Sequence, residues 1–356
     1  CLDNVITILD LKTDTIVDQF GLNSIFLSET EKIIEITSQP VLSKDIKQIL
    51  FVADVENKAE GKVKYTTALY RIDIENRTLL MTYVLSKTID ICIEDFMINN
   101  QGNKILLKFK NVPNSSEHFR FGVMDVNDNS KINLFGPANL IEQNSKGFFD
   151  SSDNIVLWNS ARVYKFNFDL DGKISADSLA KFDIDPYNIM KGQQIKSVLP
   201  CGDKILVVYN GNQIELIDKD MNKKSYNLGY PDDLKMTISN NNRYLCVLDG
   251  NANYYGQMIL HILDIENGQE IMNYGIGDKV KNKNIQFRDR LSDFFFINED
   301  NDILLSFSLY GNYTSEFGYL IIPFSDFTKL ENLNLVGKDG YDIASIDFSN
   351  DGNYLL

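Results

Sequence analysis

The chain has 356 residues, 44% hydrophobic and 24% charged, enough for one large domain or two ordinary ones. Its 50 acidic side chains outnumber 35 basic ones. The resulting net charge of −15 argues against a nucleic-acid backbone or an anionic membrane surface as partner, because phosphate binding needs a basic stripe. No apolar run reaches the ~18 residues of a membrane span, so no membrane insertion is expected.

In chain order, one phrase keeps returning: alternating apolar residues, an Asp, one more apolar residue, a polar turn and a short strand. It reads Ile8-Leu9-Asp10-Leu11, then Tyr70-Arg71-Ile72-Asp73-Ile74, then Gly122-Val123-Met124-Asp125-Val126. It returns as Lys165-Phe166-Asn167-Phe168, as Leu216-Ile217-Asp218, as Ile262-Leu263-Asp264-Ile265 and, worn, as Leu320-Ile321-Ile322-Pro323-Phe324. The anchors at 10, 73, 125, 167, 218, 264 and 323 are 42 to 63 residues apart, which suits four strands and their loops per unit. A second phrase, strand, polar turn and apolar strand, precedes most anchors. Examples are Phe96–Leu107, Ser197–Val208, Met236–Val247 and Phe295–Leu305. Gly, Asn and Asp at these turns tolerate the left-handed backbone of tight hairpins. Helical periodicity is scarce.

The two ends complete one another. The chain stops at Phe348-Ser349-Asn350-Asp351-Gly352-Asn353-Tyr354-Leu355-Leu356, a strand, an Asp-Gly turn and the start of a second strand. It opens on Leu2–Asp14, the rest of such a unit. Set end before beginning, they read as one four-stranded unit cut in the middle, which a closed ring of repeats requires. The expectation is an all-β, seven-bladed β-propeller, residues 1–356 as a single domain, closed by pairing of N- and C-terminal strands in one split blade. The blades are placed at 341–356 plus 1–21, 22–88, 89–137, 138–188, 189–230, 231–280 and 281–338. Extra sequence around Val41–Asp45 and the charged stretch Glu56–Lys62 leave an eighth blade open.

Leu2–Asp14 resembles the third strand of a WD40 repeat, with Leu-Asp where Trp-Asp usually stands, and Phe348–Leu355 is similar to its first hairpin. The resemblance is degenerate: no Gly-His dipeptide occurs, and Trp158, the only tryptophan, is not followed by Asp. The bracing tetrad of typical WD40 blades cannot be assigned, so related propellers of the quinoprotein-like or bacterial lipoprotein type stay open. The resemblance implies a rigid, non-enzymatic platform that binds protein or peptide partners, often within a larger protein.

Little points to catalysis or to a cofactor. His118 falls in a polar loop and His261 in mid-strand, to be read as a solvated loop residue and a satisfied core residue. Neither has the flanking elbow of a serine hydrolase. Two isolated histidines and the scattered Cys1, Cys92, Cys201 and Cys246 do not make a zinc site, and unpaired cysteines suit a reducing, cytoplasmic compartment. Asn167, Asp169 and Asp171, followed by Gly172, have the spacing of a calcium loop, but Ser178 stands where its bidentate Glu belongs. The simpler reading is an Asp-Gly hairpin. Asn76, Asn114 and Asn312 match the N-glycosylation pattern at the rate an Asn-rich chain gives by chance. Cys1 fits either a domain trimmed from a longer chain or a lipid-anchored, extracytoplasmic protein. For an interaction surface the candidates are Tyr254, Tyr255, Tyr310 and Tyr313, in loops that follow the second strands of adjacent units. The leading expectation is a protein-interaction or sensor scaffold. The alternatives are a surface lipoprotein binding a ligand and a propeller accompanying or gating a hydrolase.

Overall fold

The fold is that of a computed structural model. It describes residues 5–10, 15–25, 31–38, 40–43, 47–59, 62–84, 92–99, 101–114, 117–128, 132–137, 141–166, 180–182, 194–210, 213–218, 220, 222–227, 234–250, 258–275, 291–297, 300–310, 315–324, 333–336 and 354–355. They are almost wholly β-strand, with a single 3-10 turn at Leu22–Ser24 among them. The chain divides into two compact units, Cys1–Ile184 with Ala344–Leu356, and Asp185–Ile343.

The first unit holds four antiparallel sheets. Sheet 1 has β1 (Val5–Asp10) between β2 (Thr15–Gly21) and β28 (Tyr354–Leu355), in the order β2-β1-β28. Leu9 pairs with Leu355 and Asp10 with Tyr354, so the two ends of the chain share a sheet. Sheet 2 is built from β3 (Glu31–Ile36), β5 (Gln48–Ala59), β6 (Lys62–Asp73) and β7 (Thr78–Val84). The extra residues at Val41–Leu42 form β4, a short fifth strand paired to β5, so this region holds one five-stranded sheet. Sheet 3 follows as β8 (Cys92–Ile98), β9 (Lys104–Lys110), β10 (Phe119–Asp125) and β11 (Ile132–Pro137). Sheet 4 is β12 (Lys146–Phe149), β13 (Ile155–Trp158), β14 (Val163–Phe166) and β15 (Ala180–Phe182).

The second unit repeats the pattern three times. Sheet 5 is β16 (Ile195–Cys201), β17 (Lys204–Tyr209), β18 (Gln213–Ile217) and β19 (Lys223–Asn227). Sheet 6 is β20 (Leu234–Ile238), β21 (Tyr244–Gly250), β22 (Met258–Asp264) and β23 (Glu270–Gly275). Sheet 7 is β24 (Leu291–Ile297), β25 (Asp302–Tyr310), β26 (Ser315–Pro323) and β27 (Leu333–Val336). Within sheets 3 to 7 each strand pairs with the next in sequence, as hairpin-linked strands do.

Strand alternation explains the stacking. In β5, Ile49, Phe51, Ala53 and Val55 pack with Ile6, Ile8 and Phe20 of sheet 1, while Leu50 and Val52 point the other way, to Ile93, Leu107 and Phe109 of sheet 3. Successive residues of one strand thus fill two different cores. Sheets 3 and 4 share Leu106, Phe121, Phe135, Phe149 and Leu157, and sheets 5 and 6 share Leu206, Val208, Leu216, Leu245 and Val247. Second strands such as β17 are therefore apolar on both faces, whereas the fourth strand β19, Lys223-Lys224-Ser225-Tyr226-Asn227, is largely exposed. Burying a Leu, Ile or Phe is worth roughly 1.5–3 kcal/mol, so these shared cores dominate the stability of each unit.

The repeated phrase has a mechanical meaning. Its anchor lies at or just past the end of the third strand, and the aspartate closes the turn that follows. Asp73 Oδ1 accepts the N–H of Asn76 at 2.8 Å, Asp125 Oδ1 that of Asn127 at 2.7 Å, and Asp264 Oδ1 that of Glu266 at 2.9 Å. Asp218 Oδ1 accepts from both Asp220 and Asn222 at 2.9 Å. These are Asx turns. The apolar residue after the anchor turns its N–H back to the residue before the second strand: Ile74 to the Lys47 carbonyl at 2.8 Å, Val126 to Asn103 at 2.9 Å and Ile265 to Arg243 at 2.9 Å. Phe324, after the worn copy, does the same to Asn301 at 2.7 Å. One amide so ties the turn after the third strand to the turn before the second.

Candidate functional site

Strand direction gives each sheet two unlike edges. The first-to-second and third-to-fourth turns share one, here the turn edge. The other, here the loop edge, carries the start of the first strand and the second-to-third loop. In the second unit the turn edge is stitched from sheet to sheet. The Asp300 carboxylate of sheet 7, 7% exposed, accepts the N–H of Asn240 at 2.6 Å and of Asn241 at 2.7 Å from the first turn of sheet 6. Asn242 in that turn accepts the N–H of Gly202 of sheet 5 at 2.8 Å, and the Cys201 thiol donates to the Asn242 carbonyl at 3.5 Å. Tyr226 of sheet 5 reaches over as well, its hydroxyl 3.0 Å from the Ile265 carbonyl and 2.7 Å from that of Glu266.

The loop edge is built differently. The first strands of sheets 2, 3, 5 and 7 each slip register near their start, at Ile33/Glu35, Ile93/Asp95, Ile195/Ser197 and Leu291/Asp293. The extra residues are Ile34, Glu94, Lys196 and Ser292. A bulge at such a place re-aims one side chain and breaks the ladder locally.

In sheet 3 the bulged residue enters a charged group. Glu94 Oε1 lies 3.1 Å from Lys108 Nζ, and Glu94 Oε2 is buried without a hydrogen bond. Asp95 keeps a face to solvent, yet the packing behind it pushes its carboxyl above the usual range, against the pull of the Phe96 amide, Lys108 and Lys146. In sheet 4 Lys146 pairs with Trp158 across the strands and its Nζ lies 5.4 Å from the ring centroid. Arg120 is buried at the same edge, its Nε donating to the Ile141 carbonyl at 2.6 Å, and burial lowers its pKa without discharging it. In sheet 5 the Lys196 ammonium is buried with no hydrogen bond to a described residue. A buried charge without a partner among the described residues is costly to keep.

The residues singled out from the sequence scatter over this frame. Tyr254, Tyr255 and Tyr313 lie outside the described residues, as do Cys1 and the calcium-loop candidates Asn167, Asp169 and Asp171. Tyr310 ends β25 opposite Ser315, at the loop edge of sheet 7. His118 is half-buried in the loop before β10. His261 is buried, its Nδ1 2.8 Å from Glu270 Oε2, and Asn273 Nδ2 donates to Glu270 Oε1 at 2.7 Å. That pair ties β22 to β23 and leaves the imidazole too enclosed to meet a substrate. Cys92 is half-buried; Cys201 and Cys246 are free, buried thiols, and burial pushes Cys201 to about 11 and Cys246 well upward, so neither of these two is poised as a nucleophile. Among the described residues no three His, Cys, Asp or Glu side chains are grouped to hold a metal, and no helix is long and apolar enough to cross a membrane.

Sequence reading missed the charged loop edge, although a signal was there. Glu94-Asp95 and Lys196 interrupt otherwise apolar first strands, Cys92–Ile98 and Ile195–Cys201.

No protein-family model matches the chain, and no curated protein matches it in sequence. Solved structures do match in fold. A catalytically inactive virginiamycin B lyase from Staphylococcus aureus, solved with quinupristin, aligns over 91% of this chain and 96% of its own, at 12% identity and a TM-score of 0.54. The Dos1 propeller aligns over 90% of this chain and 78% of its own, at 12% identity and a TM-score of 0.52. Chaetomium thermophilum Raptor aligns over 90% of this chain but 27% of its own, at 10% identity and a TM-score of 0.53. At such identities the likeness is one of fold: WD40-like and related β-propellers.

Proposed function

We propose that the chain is a seven-bladed β-propeller, closed through the pairing of β28 with β1, that serves as a non-catalytic scaffold binding protein or peptide partners at its loop edge. The observation that carries this reading is the recurrence of bulged first strands at that edge, with Glu94, Asp95, Lys108 and Lys146 gathered beside it in the first unit. Tyr310 ends the second strand of sheet 7 and so lies at the loop edge of its own sheet. A tyrosine at one such edge and fixed charges at another are both residue types suited to protein interfaces.

The lyase among the similar structures sets the competing reading, an enzyme on this fold. The enclosed His261 and the high thiol pKa values weigh against it, because acid–base or nucleophilic work needs a reachable group near neutral pKa. Buried free thiols also suit the cytoplasm as location. An intact mass of the native protein carrying acyl chains on Cys1 would replace that by a lipid-anchored one.

The test is cross-linking mass spectrometry of the protein purified with its partners, followed by affinity measurements on charge reversals. Cross-links should concentrate at the loop edge, and Lys146→Glu should weaken a partner about tenfold or more. Cross-links confined to the outermost strands, or turnover of a substrate by the purified chain, would overturn the reading.

A further inference from the structure

Sheets 5 and 6 leave a cleft of about 420 Å³ at the turn edge, lined by Lys204, Leu216, Lys224, Asp264, Glu266 and Asn267. It lies at the opposite end of β16 from the bulged Lys196, so it is separate from the loop edge. Sheet 5 supplies one wall, with Lys204 opening β17, Leu216 in β18 and Lys224 in β19. The turn after β22 supplies the other.

Most polar groups here are already committed. Asp264 Oδ1 accepts the N–H of Glu266 at 2.9 Å and of Asn267 at 3.3 Å, and its Oδ2 faces Arg243 Nε at 3.6 Å. Lys224 donates to the Glu266 carbonyl and its Nζ lies 5.6 Å from the Tyr226 ring centroid. Tyr226 in turn packs against Gly268, where an added Cβ would come within 2.3 Å of the ring. These contacts fix the two walls relative to one another. Two charged groups are left over. Among the described residues, the Lys204 ammonium and the Glu266 carboxylate have neither an ion-pair partner nor a hydrogen bond. Residues of opposite charge therefore line one cleft, with Leu216 as the apolar residue in its lining.

We propose that this cleft is a second recognition site, taking an extended peptide segment that bears an acidic and a basic side chain two residues apart. In a β-like segment such side chains point the same way, roughly 7 Å apart. The acid meets Lys204, reinforced by Lys224; the base meets Glu266; the residue between them and the aliphatic stems lie on Leu216. A segment with two like charges meets one repulsive wall, so the site selects a pair of opposite charges over a pair of like ones. Being at the other edge, it stands or falls apart from the loop-edge scaffold reading.

The experiment is a calorimetric and NMR titration of the whole protein with the capped peptide Ac-Ala-Glu-Ala-Lys-Ala-NH2, using Glu-Ala-Glu and Lys-Ala-Lys versions and free glutamate as controls. Saturable binding at millimolar Kd or tighter is expected for the mixed-charge peptide alone, weakened about fivefold by Lys204→Ala and by Glu266→Gln, and fading with added salt. Thermal melts check that both variants stay folded, and the double exchange of Lys204→Glu with Glu266→Lys should bind the peptide of reversed charge order. The proposal is overturned by absence of saturation, by equal binding of a like-charge peptide or free glutamate, or by affinity unchanged in both single variants.

Discussion

The two edges of these sheets use the same kinds of residue to opposite ends. At the turn edge, five aspartates are spent on the backbone: Asp73, Asp125, Asp218 and Asp264 on their own turns, and Asp300 on the turn of a neighbouring sheet. At the loop edge, Glu94 and Lys196 are pushed out of the ladder and keep atoms that the fold does not satisfy. Aspartates at the first edge hold the frame; at the second, Glu94 and Lys196 are turned out of the ladder without full partners among the described residues.

Removing charge at each edge should separate these roles. The largest effect is expected for Asp300→Ala, which removes the buried carboxylate that accepts two turn amides; a loss of about 2–5 kcal/mol, read as a lower urea midpoint, follows from two charge-assisted hydrogen bonds. A loss below about 0.5 kcal/mol would mean that water takes over and the stitching is dispensable. Next comes Gly268→Ala. Gly268 has φ +70° and no room toward Tyr226, so strain and a displaced ring together should cost about 1–3 kcal/mol. Pairing it with Tyr226→Leu in a double-mutant cycle checks this, because the penalty should shrink once the ring is gone. At the loop edge, Glu94→Gln should shift stability by no more than about 1 kcal/mol in either direction, since it gives up a half-exposed ion pair and an unsatisfied oxygen together. A loss as large as that of Asp300→Ala would erase the contrast.

The smallest effect depends on pH. Hydrogen bonds hold the Asp218 carboxyl below its ordinary range, first from the Asn222 side chain and then from its amide, and those of Asn76 act likewise on Asp73. A lowered folded pKa gives stability that is present above the unfolded carboxylate value of about 4 and is lost as pH falls through the folded one. Asp218→Asn should therefore be less stable than the parent at pH 7, with the gap closing below about pH 4. A gap that stayed constant down to pH 2 would show that the charge on Asp218 does not matter to the turn.

What could be read from the sequence divides along the same line. The anchors were legible because Asx turns and the apolar residue after them are local chemistry, repeated at Asp73-Ile74, Asp125-Val126 and Asp264-Ile265. Even Pro323-Phe324, without the acid, kept the spacing that lets Phe324 bond to Asn301. The bulges were not legible, since whether Glu94 or Lys196 leaves the ladder is decided by register against a partner strand. Nor was the bond from Asn240 to Asp300, whose partners are 60 residues apart in otherwise ordinary turns. Local rules gave the repeat; the make-up of the loop edge depends on pairings that only the assembled sheets define.

The pairing of Leu9 with Leu355 sets an order of events during synthesis. Sheets 3 to 7 are made of strands that leave the ribosome one after another, so each can assemble as soon as its fourth strand emerges. Sheet 1 cannot: β1 and β2 must wait, as an unfinished hairpin with an open edge, until β28 has been translated. Through that interval Val5, Ile16 and Val17, all still exposed in the finished fold, sit beside an unpaired strand. The newborn chain is most prone to aggregation at β1 and β2, and a chaperone would have most to gain by holding them.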